Sequence, residues 1–331
     1  MTVRIFFDGL GMIGASIAMA LGKEKNTFER IAFDVMNERP RELKKQGAID
    51  QVSNNGIQAA AKADIVVIDI PVDLLEEHYE YLGEVVKPNT TILDTTPVPM
   101  KVAQLAKKFI PENVAVVSFV PGMSAEHFFD HTFNHQAAHD TMFAQSSIAI
   151  SSPSSSHADG ESVASGLCNL LGATPMYMDA VEVQVALAKT RILPRLLSAA
   201  LMQAFVDEPG WEEARVLASA DFAKLSFPVM AIFEEKFPGL DAKLSDEITL
   251  RVVDEFMASL QQLRVQLAAK KAADFHESMK KAIEKRTLWY VQRQSNNFRG
   301  EPDQRLSTMG DSFHQMFLGG IGRKKQRSDD E

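Results

Sequence analysis

The stretch "VRIFFDGLGMIGASIAMAL" constrains this chain more than any other. An apolar strand pattern, Val3–Phe7, runs into Gly9-x-Gly11-x-x-Gly14, and a helix pattern, Ile13–Leu21, opens at once. Each glycine has its own use. Gly9 permits a tight turn, Gly11 lets backbone approach a pyrophosphate, and Gly14 lets the helix pack closely on the strand. Met12 and Ile13 then begin the helix, where free N–H groups and the positive end of the dipole face an anion. Asp34 ends the next strand pattern, 20 residues after Gly14. An acid there accepts hydrogen bonds from an adenosine ribose and repels a 2′-phosphate. The expected ligand is a dinucleotide held by Gly9, Gly11, Met12, Ile13, Gly14 and Asp34. NAD is preferred, while Arg39 and Arg41 keep NADP open. The competing reading is a glycine turn without a ligand. Asp8, directly before the first glycine, finds no functional account in the sequence.

Beyond this loop the chain changes rhythm once. Strand patterns recur at Ile31–Phe33, Asp64–Ile70, Thr91–Asp94, Val114–Phe119, Ser147–Ile150 and Pro175–Met178, with helix patterns such as Val102–Phe109 between them. Short buried strands alternating with helices predict an α/β fold, a Rossmann-type parallel sheet covered on both faces. After Asp179 the strands stop. Ala180–Phe205, one or two helices within Glu212–Glu235, Ser245–Lys270 and Ala272–Val291 follow, with Ser245 as an N-cap. The expected organisation is a dinucleotide-binding domain over 1–178, an all-α substrate and dimerisation domain over 179–295, and a C-terminal extension over 296–331. The polar run Ser151–Ser162 reads as a surface loop.

Charge and cysteine use narrow the function classes. A net charge of -9 argues against nucleic-acid binding. One cysteine, Cys168, excludes an internal disulfide and suits a reducing cytoplasm. No run approaches the roughly 20 apolar residues of a membrane span, and no signal core precedes the first strand. A soluble, cytoplasmic protein is expected.

"DIVVIDIPVDLLEEH", "TILDTTPVPMKVAQLAKKF" and "GATPMYMDAVEVQVALAKTRILPRLLSAAL" resemble the prephenate and arogenate dehydrogenase family, most clearly from Val3 to about Ala200. The resemblance implies a Rossmann domain followed by a helical domain that dimerises. It places Pro71 and the Asp94-Thr95-Thr96 segment beside a nicotinamide. The chemistry residues depart from the pattern. The family's His-Pro-x-x-Gly segment aligns with Val120-Pro121, and its His-Asp pair with Val183-Gln184. Its Ser-His-Leu-Pro-His run reads Arg191-Ile192-Leu193-Pro194-Arg195 here. The implied function is NAD(P)-dependent hydride transfer on a small carboxylic acid other than prephenate. The chain also resembles the β-hydroxyacid dehydrogenases, related to 6-phosphogluconate dehydrogenase. That likeness puts a catalytic lysine at Lys189, although Leu193 stands where an asparagine is expected. A third reading is an NAD-binding sensor or scaffold without turnover.

With Val120 unable to take a proton, two residues are candidates for that work. His127 follows the Pro121-Gly122 turn, and Lys189 lies in an apolar helical stretch where burial would lower its pKa. Against them stand a partly buried helix face and a snorkelling lysine. Thr96, Ser124, Arg191 and Arg195 are the expected substrate contacts; the arginines, one turn apart, read either as a carboxylate clamp or as surface charges on a domain-linking helix. His127, His131, His135 and His139 recur every four residues, which on a helix lets neighbouring pairs share a face. The segment matches no recognised metal pattern, and no metal is expected.

Overall fold

The computed structural model describes residues 2–24, 27–129, 135–153, 159–206, 208–231 and 247–298. By contacts the chain divides into two units, Met1–Ala258 and Ser259–Glu331.

The first unit is built on one eight-stranded sheet. Its strands are β1 (Val3–Asp8), β2 (Phe28–Phe33), β3 (Gln51–Val52), β4 (Ile65–Ile68), β5 (Thr91–Asp94), β6 (Ala115–Pro121), β7 (Ser147–Ser151) and β8 (Thr174–Tyr177). They lie in the order β3-β2-β1-β4-β5-β6-β7-β8. All neighbours pair in parallel except β6 and β7, which are antiparallel. The central strands are apolar at nearly every position because helices bury both faces. One core lies on the side of Ile5, Phe7 and Phe119 with α1 (Met12–Leu21) and α6 (Asp159–Leu170). The other gathers Phe6, Val66 and Ile68 with α3 (Gly56–Ala60), α4 (Leu75–Val85) and α5 (Pro99–Phe109). A further helix, α2 (Glu38–Lys45), follows β2.

Three departures from the sequence reading have physical causes. β2 begins at Phe28, because Arg30, a residue that reads as surface, is fully buried there. Its guanidinium makes a bidentate pair with Asp50, 2.9 Å from Nε and 2.8 Å from the second nitrogen. β3 has only two residues, too few for any alternation. α6 takes over the latter part of the Ser151–Ser162 run. Its Gly160 is buried, and a Cβ there would lie 2.7 Å from the Ala115 Cβ.

After β8 the described residues are largely helical. α7 (Ala180–Leu187) carries a capping box between Asp179 and Glu182. It continues through a π turn, Ala188–Ile192, into α8 (Leu193–Phe205). The π turn has a cause in Pro194, which has no N–H for the carbonyl four residues earlier. α9 (Trp211–Val216) and α10 (Ala220–Ser226) follow. α11 (Glu247–Ala268) runs across the division between the units, and α12 (Ala272–Ser295) lies in the second. Ser245, expected to cap α11, lies outside the described residues. No described helix is long and apolar enough to cross a membrane.

Candidate functional site

The carboxyl ends of β1, β2, β4 and β5 bring Asp8, Asp34, Asp69 and Asp94 to one edge of the sheet, around the glycine loop. Gly9 has φ +87, the left-handed turn expected of it, and a Cβ there would lie 2.3 Å from the Asp69 carbonyl oxygen. Gly11 is the N-cap of α1 and offers no side-chain cap. The first N–H groups of the helix, from Gly11 through Gly14, have no partner within it. Gly14 donates to Asp69 Oδ2 at 2.5 Å.

Asp34 is buried at the end of β2 and accepts from two backbone N–H groups. Leu10 donates to Oδ2 at 2.9 Å and Met36 to Oδ1 at 2.7 Å. The acid therefore also fixes the shape of the loop. Arg39 lies 3.7 Å from the same carboxylate, while Arg41 is exposed. Pro71 caps a short 3-10 turn, Val72–Leu74, just beyond β4. Thr95 is buried and donates its hydroxyl to the Ile68 carbonyl at 2.8 Å. Thr96 donates its N–H to Asp94 Oδ1 at 2.8 Å and its hydroxyl to the same oxygen.

Asp8 finds its account here. Its carboxylate accepts from Tyr81 on α4 and lies 3.7 Å from His78 Nε2. His78 is held in turn by the Leu74 carbonyl, 3.0 Å from Nδ1. The network ties the end of β1 to α4. Burial pushes the Asp8 carboxyl above its usual range, and burial beside Asp8 pushes the Tyr81 hydroxyl up as well.

The histidine run is not one helix. A 3-10 turn, Ala125–His127, and another, His135–Ala137, break it, and His131 lies outside the described residues. Two of these histidines meet at a wider spacing: the rings of His127, in the first turn, and of His139, beyond the second, stack with centroids 4.7 Å apart. His127 is buried, with Nε2 3.1 Å from the Thr141 hydroxyl. The backbone N–H of His139 donates to Ser16 of α1 at 3.2 Å. Ser124 is also buried, its N–H donating to the Met142 carbonyl at 2.7 Å.

Lys189 stands on the π turn, and the burial expected for it is absent. Its side chain is 52% exposed, with Nζ 3.5 Å from Glu255 Oε2. The apolar neighbours in sequence occupy other faces of the helix, which sequence spacing through a π turn does not disclose. On the same stretch Arg191 is half-buried and Arg195 buried. What sequence reasoning missed is Asp69, one residue beyond β4, which a linear reading had no reason to connect with Gly14, 55 positions away. Val120 and Val183, the two positions where the family resemblance expects polar chemistry, meet in one buried cluster with Ala149.

Comparison with known proteins bears directly on this edge of the sheet. Residues 17–127 match the family model of the prephenate dehydrogenase nucleotide-binding domain. The matched segment begins just past the glycine loop and ends at His127. Prephenate dehydrogenase of Bacillus subtilis (strain 168) is 29% identical over 126 residues, 37% of this chain and 33% of that protein. The match thus spans about a third of the relative's length. Among solved structures, Synechocystis arogenate dehydrogenase is similar with a TM-score of 0.67 at 17% identity, over 87% of this chain and 100% of that one. Prephenate dehydrogenase from A. aeolicus, solved with hydroxyphenyl propionate and NAD+, reaches 0.71 at 15% identity, over 86% and 98% of the two chains. These structural likenesses carry the fold: a Rossmann-like sheet domain followed by helices.

Proposed function

We propose that this protein is an NAD-dependent oxidoreductase of the prephenate dehydrogenase kind. The observation that carries the reading is the glycine loop at the switch between β1 and β4, with Asp34 at the end of β2. The match over residues 17–127 supports it. Gly9, Gly11 and the first turn of α1, with Met12, Ile13 and Gly14, would hold the pyrophosphate. Asp34 would take the adenosine ribose, and Pro71 and Thr95 would border the nicotinamide. The left-handed turn at Gly9 and the uncapped Gly11 fit such a ligand; the carboxylate of Asp69 at Gly14 does not, and must yield. When bound, NAD supplies the hydride acceptor. The chain supplies orientation, charge matching and a proton acceptor.

The substrate we infer is a small carboxylic acid other than prephenate, held by Thr96, Ser124, Arg191 and Arg195. The packing of Val120 against Val183 supports that change, because an apolar pair stands where the family resemblance expects a histidine and a His-Asp pair. The same cluster favours a second reading, a dinucleotide-binding protein without turnover. A screen of prephenate, arogenate and other small acids, read by nicotinamide absorbance, separates the two. Turnover of an acid other than prephenate supports the first reading, and tight NAD binding with no turnover supports the second. For the proton, His127 and Lys189 are the candidates. With an active substrate in hand, His127→Ala or Lys189→Met should lower kcat by about 100-fold or more while leaving NAD affinity nearly unchanged. Full turnover in both variants would remove both residues from the chemistry.

We further propose a homodimer formed through the helices after β8, where apolar side chains including Leu250, Met257, Leu260 and Leu267 are exposed in the single chain.

A further inference from the structure

We propose that the Asp69 carboxylate is a built-in competitor for the cofactor pyrophosphate, occupying the glycine loop until the dinucleotide displaces it. The proposal rests on the dinucleotide reading above and concerns what that reading leaves unexplained. Asp69 is anchored beside the loop by its own backbone, whose N–H donates to the Asp8 carbonyl at 2.9 Å. From there the side chain reaches under the start of α1. Oδ2 accepts from the Gly14 N–H at 2.5 Å, and Oδ1 lies 3.3 Å from the Thr95 hydroxyl.

The glycines show how closely it fits. A Cβ at Gly11 would lie 2.8 Å from Asp69 Oδ2, and one at Gly14 would lie 2.9 Å from the Asp69 Cβ. The space Gly11 clears is the space through which a phosphate would approach, and a carboxylate oxygen fills part of it, while Gly14 lets the Asp69 stem pack against the helix. A helix N-terminus attracts one anion strongly, through N–H donors and the positive end of the dipole. A pyrophosphate at the same helix end would compete with the carboxylate for the positive potential there, and the two anions would repel each other. Dinucleotide binding becomes an exchange of one anion for another.

Two effects of opposite sign follow. Without cofactor, Asp69 stabilises the loop by a charge-assisted bond to the end of α1. With cofactor, the same bond must break, and affinity falls. A side chain with a purely structural role would not separate these effects, since its loss would weaken folding and binding together.

The experiment is a calorimetric or fluorescence titration of NADH into the full chain, wild type, Asp69→Asn and Asp69→Ala, with melting temperatures taken without nucleotide. Asp69→Asn keeps an acceptor for the Gly14 N–H and so guards against misfolding. The proposal expects both variants to bind NADH at least about tenfold more tightly than wild type while melting at a lower temperature. Tight binding by the variants with none detectable in wild type would support it equally. If wild type binds and the variants bind no more tightly, the competitor role is wrong and the dinucleotide reading stands. If none of the three binds at about millimolar NADH, both fall.

Discussion

At Asp94 two effects oppose each other, and burial wins. The carboxylate is wholly buried at the end of β5 and accepts from Thr96 and from Tyr79, whose hydroxyl is 2.9 Å from Oδ2. Those bonds favour the charged form, but desolvation is larger and pushes the pKa from 3.8 up to about 6, with the nearby Asp69 charge adding to the rise. Between these two values the folded protein holds a proton that the unfolded chain has released. Stability therefore falls as pH rises through that window and levels off above about 6. Burial raises Asp8 in the same direction. Asp94→Asn removes the charge yet keeps an acceptor for Thr96. It should gain on wild type by up to about 3 kcal/mol near neutral pH, with the gain shrinking towards about pH 4. Denaturant unfolding at the two pH values checks this; an equal difference at both would contradict the assigned burial cost.

Among the elements, the close approach of α4 to α5 is the most demanding. A Cβ at Gly83 would lie 2.1 Å from the Phe109 carbonyl oxygen, a backbone atom that cannot rotate aside. Gly83→Ala should raise helix propensity and still destabilise, by about 1–3 kcal/mol, because the helices must separate. Thermal melting reads the sign, and an increase would mean the two helices slide apart freely. Sequence legibility follows from the same local-versus-distant divide. β1, the glycine loop, α1 and β5 are legible because their signals are local: an apolar run, a turn residue, a helical period. β2 is only half legible because Arg30 hides its first half, and the ion pair with Asp50 that permits its burial is a distant contact. The π turn at Ala188–Ile192 and the stacking of His127 on His139 are not legible at all. The first shifts every later helical face, and the second joins two histidines that the four-residue spacing does not pair. Cofactor loop and fold class therefore came within reach of the sequence, whereas the placing of Lys189, His127 and Asp69 needed the packed chain.

Over the whole molecule, the exposed apolar side chains of α11 and α12 are the surface proposed for the dimer. Fully burying a leucine or methionine is worth about 1.5–3 kcal/mol, and Met257, Leu260, Leu267 and Ile283 are all more than half exposed in the single chain. Light scattering at micromolar concentration should give twice the chain mass, and Leu260→Asp should shift it towards the monomer. A monomeric wild type would refute the dimer. The edge formed by β1, β2 and β4 is proposed to hold NAD, with Asp34 on the ribose. Titrating NAD+ and NADP+ into wild type and Asp34→Ala tests it most directly, since Asp69 opposes both cofactors alike and cancels in their ratio. Wild type is predicted to prefer NAD+, and Asp34→Ala, which loosens the loop for both cofactors, to lose about tenfold or more NAD+ affinity beyond whatever NADP+ affinity it loses. An equal loss for both cofactors, or none for either, would contradict it.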